Sequence, residues 1–216
     1  IFWKKLAKKN QKNLIMKSLV TGGAGFIGSH LVERLVSLGH EVIVLDNFSI
    51  GRKSNLNKVK NKIKIVKADI AKIKNIEKFF KGVQNVFHLA ALADIVPSIE
   101  EPSKYFRANV NGTLNVLECS VKNKIKKFIY SASSSCYGIP KKYPTPENSL
   151  IDPKYPYALT KRMGEELVVH YSNVYNLNAT SLRFFNVYGP RARTSGTYGA
   201  VFGVFLAQKF ANKPLT

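Results

Sequence analysis

Apolar residues fall into six short runs, separated by longer segments whose apolar positions recur at helical spacing. The runs are Ser18–Val20, Val42–Leu45, Ile63–Val66, Asn85–Ala90, Lys127–Ser131 and Thr180–Phe185. Val42-Ile43-Val44-Leu45 is apolar without interruption, as a strand covered on both faces should be. Phe26–Leu38 sets Ile27, Leu31, Leu35 and Leu38 at helical spacing and stops at Gly39, a residue suited to closing a helix. Ile73–Phe80, Ser103–Val121 and Tyr157–Tyr175 read as further helices, and Val201–Ala211 as a last one. Strands alternating with helices of this length predict βαβ units. The expected fold is therefore α/β, a doubly wound, Rossmann-like parallel sheet with helices on both faces. Gly138–Pro156 holds five prolines and predicts a long ordered loop, a kind of segment that often carries function.

Composition narrows the class. The chain has 216 residues, 45% of them hydrophobic and 11% aromatic, which excludes global disorder. No run of ~18 apolar residues occurs, so no transmembrane helix is expected. Two cysteines, Cys119 and Cys136, exclude a disulfide scaffold and point to a reducing compartment, the cytoplasm. Lys+Arg number 34 against 13 Asp+Glu, a formal net charge of +21, which is the footprint of a nucleic-acid binder. Lysine dominates, however, beside many Asn and Ile residues. That mixture equally describes a solvated lysine surface written by an AT-rich genome, and the Arg–aromatic stripe of base-reading modules is missing. The expectation is no specific nucleic-acid partner and no membrane. The first fifteen residues carry five lysines and no acid, and Met16 stands directly before the first strand-like run. Residues 1–15 are thus expected to be a stray or disordered basic leader, without the apolar region of a signal peptide. The four histidines, at 30, 40, 88 and 170, show no ligand spacing, so no metal is expected. His88 reads as a packed strand-end residue, Cys119 as core, and Cys136 as a small apolar residue lining the loop.

Chemistry first enters between the first strand and the first helix. In Thr21-Gly22-Gly23-Ala24-Gly25-Phe26-Ile27-Gly28, Gly22 permits a tight turn, Gly25 lets the backbone approach a pyrophosphate, and Gly28 lets helix pack on sheet. The phosphates would rest on N–H groups at the helix N-terminus. Asp46, eighteen residues beyond Gly28 and at the end of the next strand, suits two ribose hydroxyls and would repel a 2′-phosphate. NAD is therefore expected over NADP, a preference that Arg52 and Lys53 soften. Tyr157 and Lys161 lie four apart at the start of a predicted helix, on one face. The Lys161 ammonium and an oxidised nicotinamide would both favour phenolate and lower the Tyr157 pKa. Ser133, Ser134 and Ser135 follow the fifth strand, where hydroxyls face the ligand crevice of such a sheet; they equally suit an ordinary Ser-rich turn.

TGGAGFIG at 21–28, Asp46-Asn47, Asp69-Ile70, His88-Leu89-Ala90-Ala91, Asn109-Val110-Asn111-Gly112-Thr113, SSSCYG at 133–138, YALTK at 157–161 and RFFNVYGP at 183–190 occur in this order. Together they resemble the extended short-chain dehydrogenase/reductase family of NAD-dependent epimerases and dehydratases. The likeness is greatest to UDP-sugar 4-epimerases acting on UDP-glucose or UDP-N-acetylglucosamine, and runs from about Met16 to the end of the chain. The resemblance implies that Gly22, Gly25, Phe26, Ile27 and Gly28 hold the pyrophosphate, and that Asp46 and Asn47 hold the adenosine ribose. It implies that Asp69 and Ile70 flank the adenine, and that Leu89, Ala90 and Ala91 line the cofactor channel. Ser133 would be the catalytic hydroxyl, Tyr157 the base and Lys161 its tuner and ribose anchor. Phe185 would approach the nicotinamide, Asn186 would meet the sugar diphosphate with Ser134 and Ser135 near the substrate, and Asn109 would support Lys161 at the cofactor.

The resemblance further implies that Tyr157 takes the O4 proton while hydride leaves C4 for NAD+. The 4,6-dehydratases of the family carry Asp-Glu after the catalytic Thr, and the decarboxylases a nearby Glu. Here Ser134-Ser135-Cys136 follows, which leaves rotation of the 4-keto sugar and hydride return, an epimerisation. Two alternatives remain: a dehydratase or decarboxylase of the same family, or a non-catalytic NAD-binding protein. Residues 16–190 would form the NAD-binding domain with the catalytic residues, and 191–216 the start of a truncated substrate lobe. The 216-residue chain alone is then expected to bind NAD with little or no turnover, and the complete protein to form a homodimer through a helix bundle. Arg191, with Lys161, is expected to face the anionic ligands.

Overall fold

The computed structural model describes residues 15–192 and 201–215. Leader positions 1–14, together with 193–200 of the expected substrate lobe, lie outside the described residues.

Six strands form one parallel sheet: β1 (Lys17–Thr21), β2 (Glu41–Asp46), β3 (Ile63–Lys67), β4 (Asn85–His88), β5 (Lys127–Ser133) and β6 (Ala179–Phe184). Their spatial order is β3-β2-β1-β4-β5-β6, with Thr21 opposite both Leu45 and His88. The order reverses beside β1, which opens a crevice beyond the carboxyl ends of β1 and β4, where such sheets bind ligands. The uninterrupted apolar run in β2 has the expected cause. Ile43 and Leu45 pack into a core with Val116, Leu117, Phe128 and Val168, while Val42 and Val44 pack on the other face with Val20, Val32 and Leu35.

The helices are α1 (Phe26–Ser37), the short α2 (Ile73–Ile76), α3 (Ile95–Glu100), α4 (Pro102–Tyr105), α5 (Gly112–Lys122), α6 (Pro156–Tyr175) and α7 (Val201–Phe210). α1 covers one face of the sheet and α5 and α6 the other. Three local differences from the sequence reading have physical reasons. The helix expected over 73–80 stops after α2 and continues as a 3-10 turn, Glu77–Phe79. The long helix expected over 103–121 is broken into α4, a π-helical stretch Phe106–Asn111, and α5. Such π stretches are rare and gather at functional sites; this one turns Asn109 into the interior. The strand expected over 85–90 ends at His88, because Leu89 and Ala90 leave the sheet to donate N–H bonds to the Thr21 carbonyl and Thr21 Oγ1. Among the described residues, no helix is long and apolar enough to cross a membrane.

Candidate active site

Thr21 is the last residue of β1 and Phe26 the first of α1, so four residues must reverse the chain. Gly22 takes φ +69°, and its N–H donates to the Leu45 carbonyl at 2.8 Å. The turn has no room for side chains: a Cβ on Gly22 would lie 2.7 Å from the Ala90 nitrogen, and one on Gly28 2.2 Å from the Gly22 oxygen. Gly28 therefore packs on the turn itself, rather than on the sheet as expected. α1 begins at Gly25 without a capping side chain and without an acidic residue in its first turn. Its N-terminal donors and the positive end of its dipole are left for an anion.

A cleft of about 110 Å³ starts at this turn, lined by Gly22, Gly25, Asp46, Asn47, Asp69, Ile70, Leu89, Ala90 and Ala91 among others. Nine of the residues singled out in the sequence for a dinucleotide thus share one cleft. Ser49, Ile50, Gly51, Leu92 and Ala108 also line it. Apolar walls suit a flat base, carboxylates suit ribose hydroxyls and uncapped helix donors suit a phosphate, so these residues suit NAD. Asp46 is buried. Burial pushes its carboxyl up, against the Phe48 N–H bonded to Oδ1 at 2.8 Å and the Ala24 N–H bonded to Oδ2 at 2.9 Å, which pull it down. Asp46 thereby ties the glycine turn to β2, a structural duty that spacing alone did not reveal. Asp69, on the chain leaving the neighbouring strand β3, accepts from Arg107 Nη2 at 2.6 Å.

β5 ends at Ser133 and α6 begins at Pro156, which brings the hydroxyls together. Ser133 and Ser135 Oγ lie 2.8 Å apart, and both pull the Tyr157 phenol down against its burial. Ser133 also caps the short turn Ser134–Tyr137 through the Ser135 N–H. The expected lowering of the Tyr157 pKa does not hold in the chain by itself. Burial pushes the phenol up, Ser133 pulls it back, Asp94 pushes it further up and Ser135 pulls it down again. Lys161 sits against Tyr130. Its Nζ is 4.4 Å from the centre of the Tyr130 ring, and burial brings it down to about 7 although Glu165 opposes this. Asp94, in the loop before α3, is a carboxylate near this cluster that no motif had flagged.

Lys161 makes stability depend on pH. Below about 7 both states hold the proton, and the fold carries the full cost of a buried ammonium. Above that, the native lysine releases its proton while the unfolded one keeps it up to its ordinary value, so stability rises with pH. A gain of about 3 kcal/mol between pH 7 and 9.5 is expected from the linkage. Urea melts across that range should show the rise in the natural sequence and a flat profile in Lys161→Met; equal slopes would contradict it.

A family model described as the NAD dependent epimerase/dehydratase family matches residues 18–215. The chain belongs to this family. It is 40% identical over 191 residues to a UDP-glucose 4-epimerase of Mycolicibacterium smegmatis, covering 86% of this chain and 61% of that protein. The structure of a UDP-N-acetylglucosamine 4-epimerase from Methanobrevibacter ruminantium M1, in complex with UDP-N-acetylmuramic acid, superposes with a TM-score of 0.88 at 36% identity. That match covers 92% of this chain and 64% of the other. The UDP-glucose 4-epimerase of Thermus thermophilus, in complex with NAD, gives 0.85 at 35% identity over 92% and 64%. The chain thus spans about three fifths of these relatives' length. NAD is the cofactor of the family.

Several other residues singled out in the sequence of this epimerase/dehydratase chain have partners within the protein. Asn109 donates both amide hydrogens to protein, to the Leu92 carbonyl and to Thr160 Oγ1, each at 3.0 Å, and accepts from the Leu92 N–H. It braces α6 through Thr160, beside Lys161, and is spent as a donor to a cofactor. Arg191 donates to Ser29 Oγ and pairs with Glu33 on α1, so its charge is already used. Phe185 is 59% exposed and stacks on Tyr137 with centroids 6.4 Å apart, and Asn186 is exposed too. Phe26 and Ile27 are half-buried at the start of α1. Each His88 ring nitrogen has a threonine partner, Thr21 at 2.7 Å and Thr113 at 2.9 Å, and burial drives its pKa down to about 3. Among the described residues, no group of three or more His, Cys, Asp or Glu could hold a metal.

Proposed function

We propose that the protein to which this chain belongs epimerises a UDP-hexose at C4, with NAD held in the cleft between Gly22 and Ala91. One observation supports the reading most: Ser133 and Ser135, whose Oγ atoms lie 2.8 Å apart, both act on the Tyr157 phenol, at the carboxyl end of the sheet where the cleft opens. In this arrangement the two serines orient the phenol and a substrate O4 would take the place of one serine bond. Tyr157 then removes the O4 proton and later returns it. Lys161 sits one turn on, placed to reach a ribose and to share its charge with the phenol. Gly22, Gly25 and the α1 N-terminus would hold the pyrophosphate, Asp46 the adenosine ribose, and Asp69 and Ile70 the adenine side of the cleft. When bound, NAD supplies the two-electron acceptor and donor for the C4–H bond. The sugar nucleotide resembles the UDP-sugars of the relatives, and its identity is part of the proposal. Exposed Val169, Val174 and Tyr175 on α6 support pairing of two such helices in the complete protein.

Supplied with UDP-glucose or UDP-N-acetylglucosamine, the complete protein should produce only the C4 epimer, seen by proton NMR, with no net loss of water or carbon dioxide. A 4-keto-6-deoxy product would instead make it a dehydratase, with Asp94 the first candidate for the extra acid. The 216-residue chain by itself is expected to bind NAD and turn over little.

A further inference from the structure

Glu165 lies on α6 one turn beyond Lys161, so Tyr157, Lys161 and Glu165 follow one another along one helix face. It is buried, and its carboxylate is fully engaged. Arg183 Nε donates to both oxygens at 3.0 and 3.1 Å, Ser181 Oγ donates at 3.0 Å, and Arg162 Nη1 at 2.9 Å. The connection continues beyond Arg183. Its Nη1 donates to the Tyr137 hydroxyl at 2.6 Å and to the Glu147 carbonyl at 2.9 Å. Its guanidinium lies 5.0 Å from the Tyr137 ring centre, and Tyr137 in turn stacks on Phe185. A carboxylate on the helix of Tyr157 and Lys161 is thus wired to the end of β5, to the segment after β6 and to the long loop over 138–155. A buried ion pair adds little net stability, because desolvation offsets the attraction. Its geometric consequence here is fixed placement of three segments around the site.

We propose that Glu165 and Arg183 are positioning residues: together they lock the helix of Tyr157 and Lys161 to the Tyr137–Phe185 stack and to the long loop, with Glu165 the negative charge set one turn from Lys161. The charge works in the right sense, since Glu165 favours the protonated form of Lys161 against the burial that opposes it. Arginine suits the second task because its planar fork holds a carboxylate on one edge and a hydroxyl and a carbonyl on another, which a lysine point charge does not. The proposal takes its significance from the roles given above to Tyr157 and Lys161.

Three variants of the full 216-residue chain separate charge from shape: Glu165→Gln, Glu165→Asp and Arg183→Lys. Two readouts apply, the Lys161 titration midpoint by NMR of labelled lysine and the rate of trypsin cleavage after Lys141 and Lys142 in the loop. Glu165→Gln should lower the Lys161 midpoint by about one pH unit. Glu165→Asp, which keeps the charge but reaches less far, should restore the midpoint while the loop is cut several-fold faster. Arg183→Lys should speed cleavage and leave the midpoint in place. An ion pair that only stabilises the fold would move both readouts together in the order of the melting temperatures; that pattern, or an unchanged midpoint in Glu165→Gln, overturns the proposal. Should Glu165→Gln fail to fold, Glu165→Asp and Arg183→Lys decide it by the same contrast. Both readouts use the cofactor-free chain, so loss of the NAD or epimerase reading would leave this result standing by itself.

Discussion

Gly28→Ala is expected to abolish detectable NAD binding and to cost the fold about 3–5 kcal/mol, whereas Gly39→Ala should bind NAD as the natural sequence does. The methyl group on residue 28 would lie 2.2 Å from the Gly22 carbonyl oxygen, 2.8 Å from the Gly23 Cα and 3.0 Å from the Gly22 carbonyl carbon. All of these are backbone atoms, so no rotamer change relieves the overlap. Nor does the turn have anywhere to go. Gly22 is held from one side by its N–H bond to Leu45 and blocked on another by Leu89 and Ala90. The helix must therefore tilt away from the turn, and the donors at its N-terminus lose their common direction, on which an anion site depends. Gly39 is the control because it isolates backbone strain from crowding. Its φ is +80° and nothing lies within 4 Å of an added Cβ, so only the left-handed conformation is penalised, by about 1–2 kcal/mol. Calorimetric titration with NAD and urea melts of both variants check this. Gly28→Ala with natural affinity would mean that the cleft beside this turn is not where the dinucleotide sits.

The contrast between these glycines shows which parts of the site were legible in the sequence. Gly22, Gly25 and Asp46 were legible because they obey local rules: a strand ends, a turn tightens, a helix starts, and a carboxylate recurs at the end of the next strand; Asn47, Asp69 and Ile70, which line the same cleft, were reached through the family resemblance. The fold was legible for the same reason, since the apolar run Val42–Leu45 can be buried on both faces only inside a parallel sheet. What escaped depends on contacts between distant segments. That Asp46 spends both oxygens on the glycine turn and the residue after β2, and that Asn109 spends its amide on Leu92 and Thr160, follows from tertiary proximity without any spacing rule. The π-helical turn that delivers Asn109 has no sequence pattern distinct from an ordinary helix. Arg191 was expected at the ligands on charge alone, and the nearby Glu33 claimed it first. Glu165 and Arg183, eighteen residues apart, meet only through the packing of α6 on β6.

The same distinction bears on the +21 charge. Asp69 and Glu77, the acids in the lysine-rich stretch around β3 and α2, are already paired with Arg107 and Lys122. The lysines around them, such as Lys64 and Lys78 beside Phe79, are left as solvated cations. Lys161 is the exception, as a lysine whose burial has a chemical consequence. Its position over Tyr130, with the Tyr130 hydroxyl reaching back to the Lys161 carbonyl, holds it away from water one helical turn from Tyr157.

Tyr157→Phe should cut turnover of the complete enzyme by about 10²–10⁴-fold, the range for loss of a positioned general base, with NAD affinity changed little. The phenyl ring keeps the packing, so the melting temperature should hold. What is lost is the phenol oxygen on which Ser133 and Ser135 both act. Because those serines lie 2.8 Å apart and act on the same group, Ser133→Ala should cost far less, about tenfold, since Ser135 remains. The double variant should be no slower than Tyr157→Phe alone, as groups acting through one oxygen are not additive. The pH profile supplies the sharper distinction. Burial holds the phenol above its ordinary value in the cofactor-free chain, so ionisation near neutral pH requires positive charge brought close when the ligands bind. The rate at low substrate should then fall as pH drops through the pKa of the bound phenol, and this acid limb should vanish in Tyr157→Phe together with the main loss of rate. If the limb persists in the variant, the titrating group is another residue, and Lys161, which titrates near neutrality in the cofactor-free chain, becomes the base to examine.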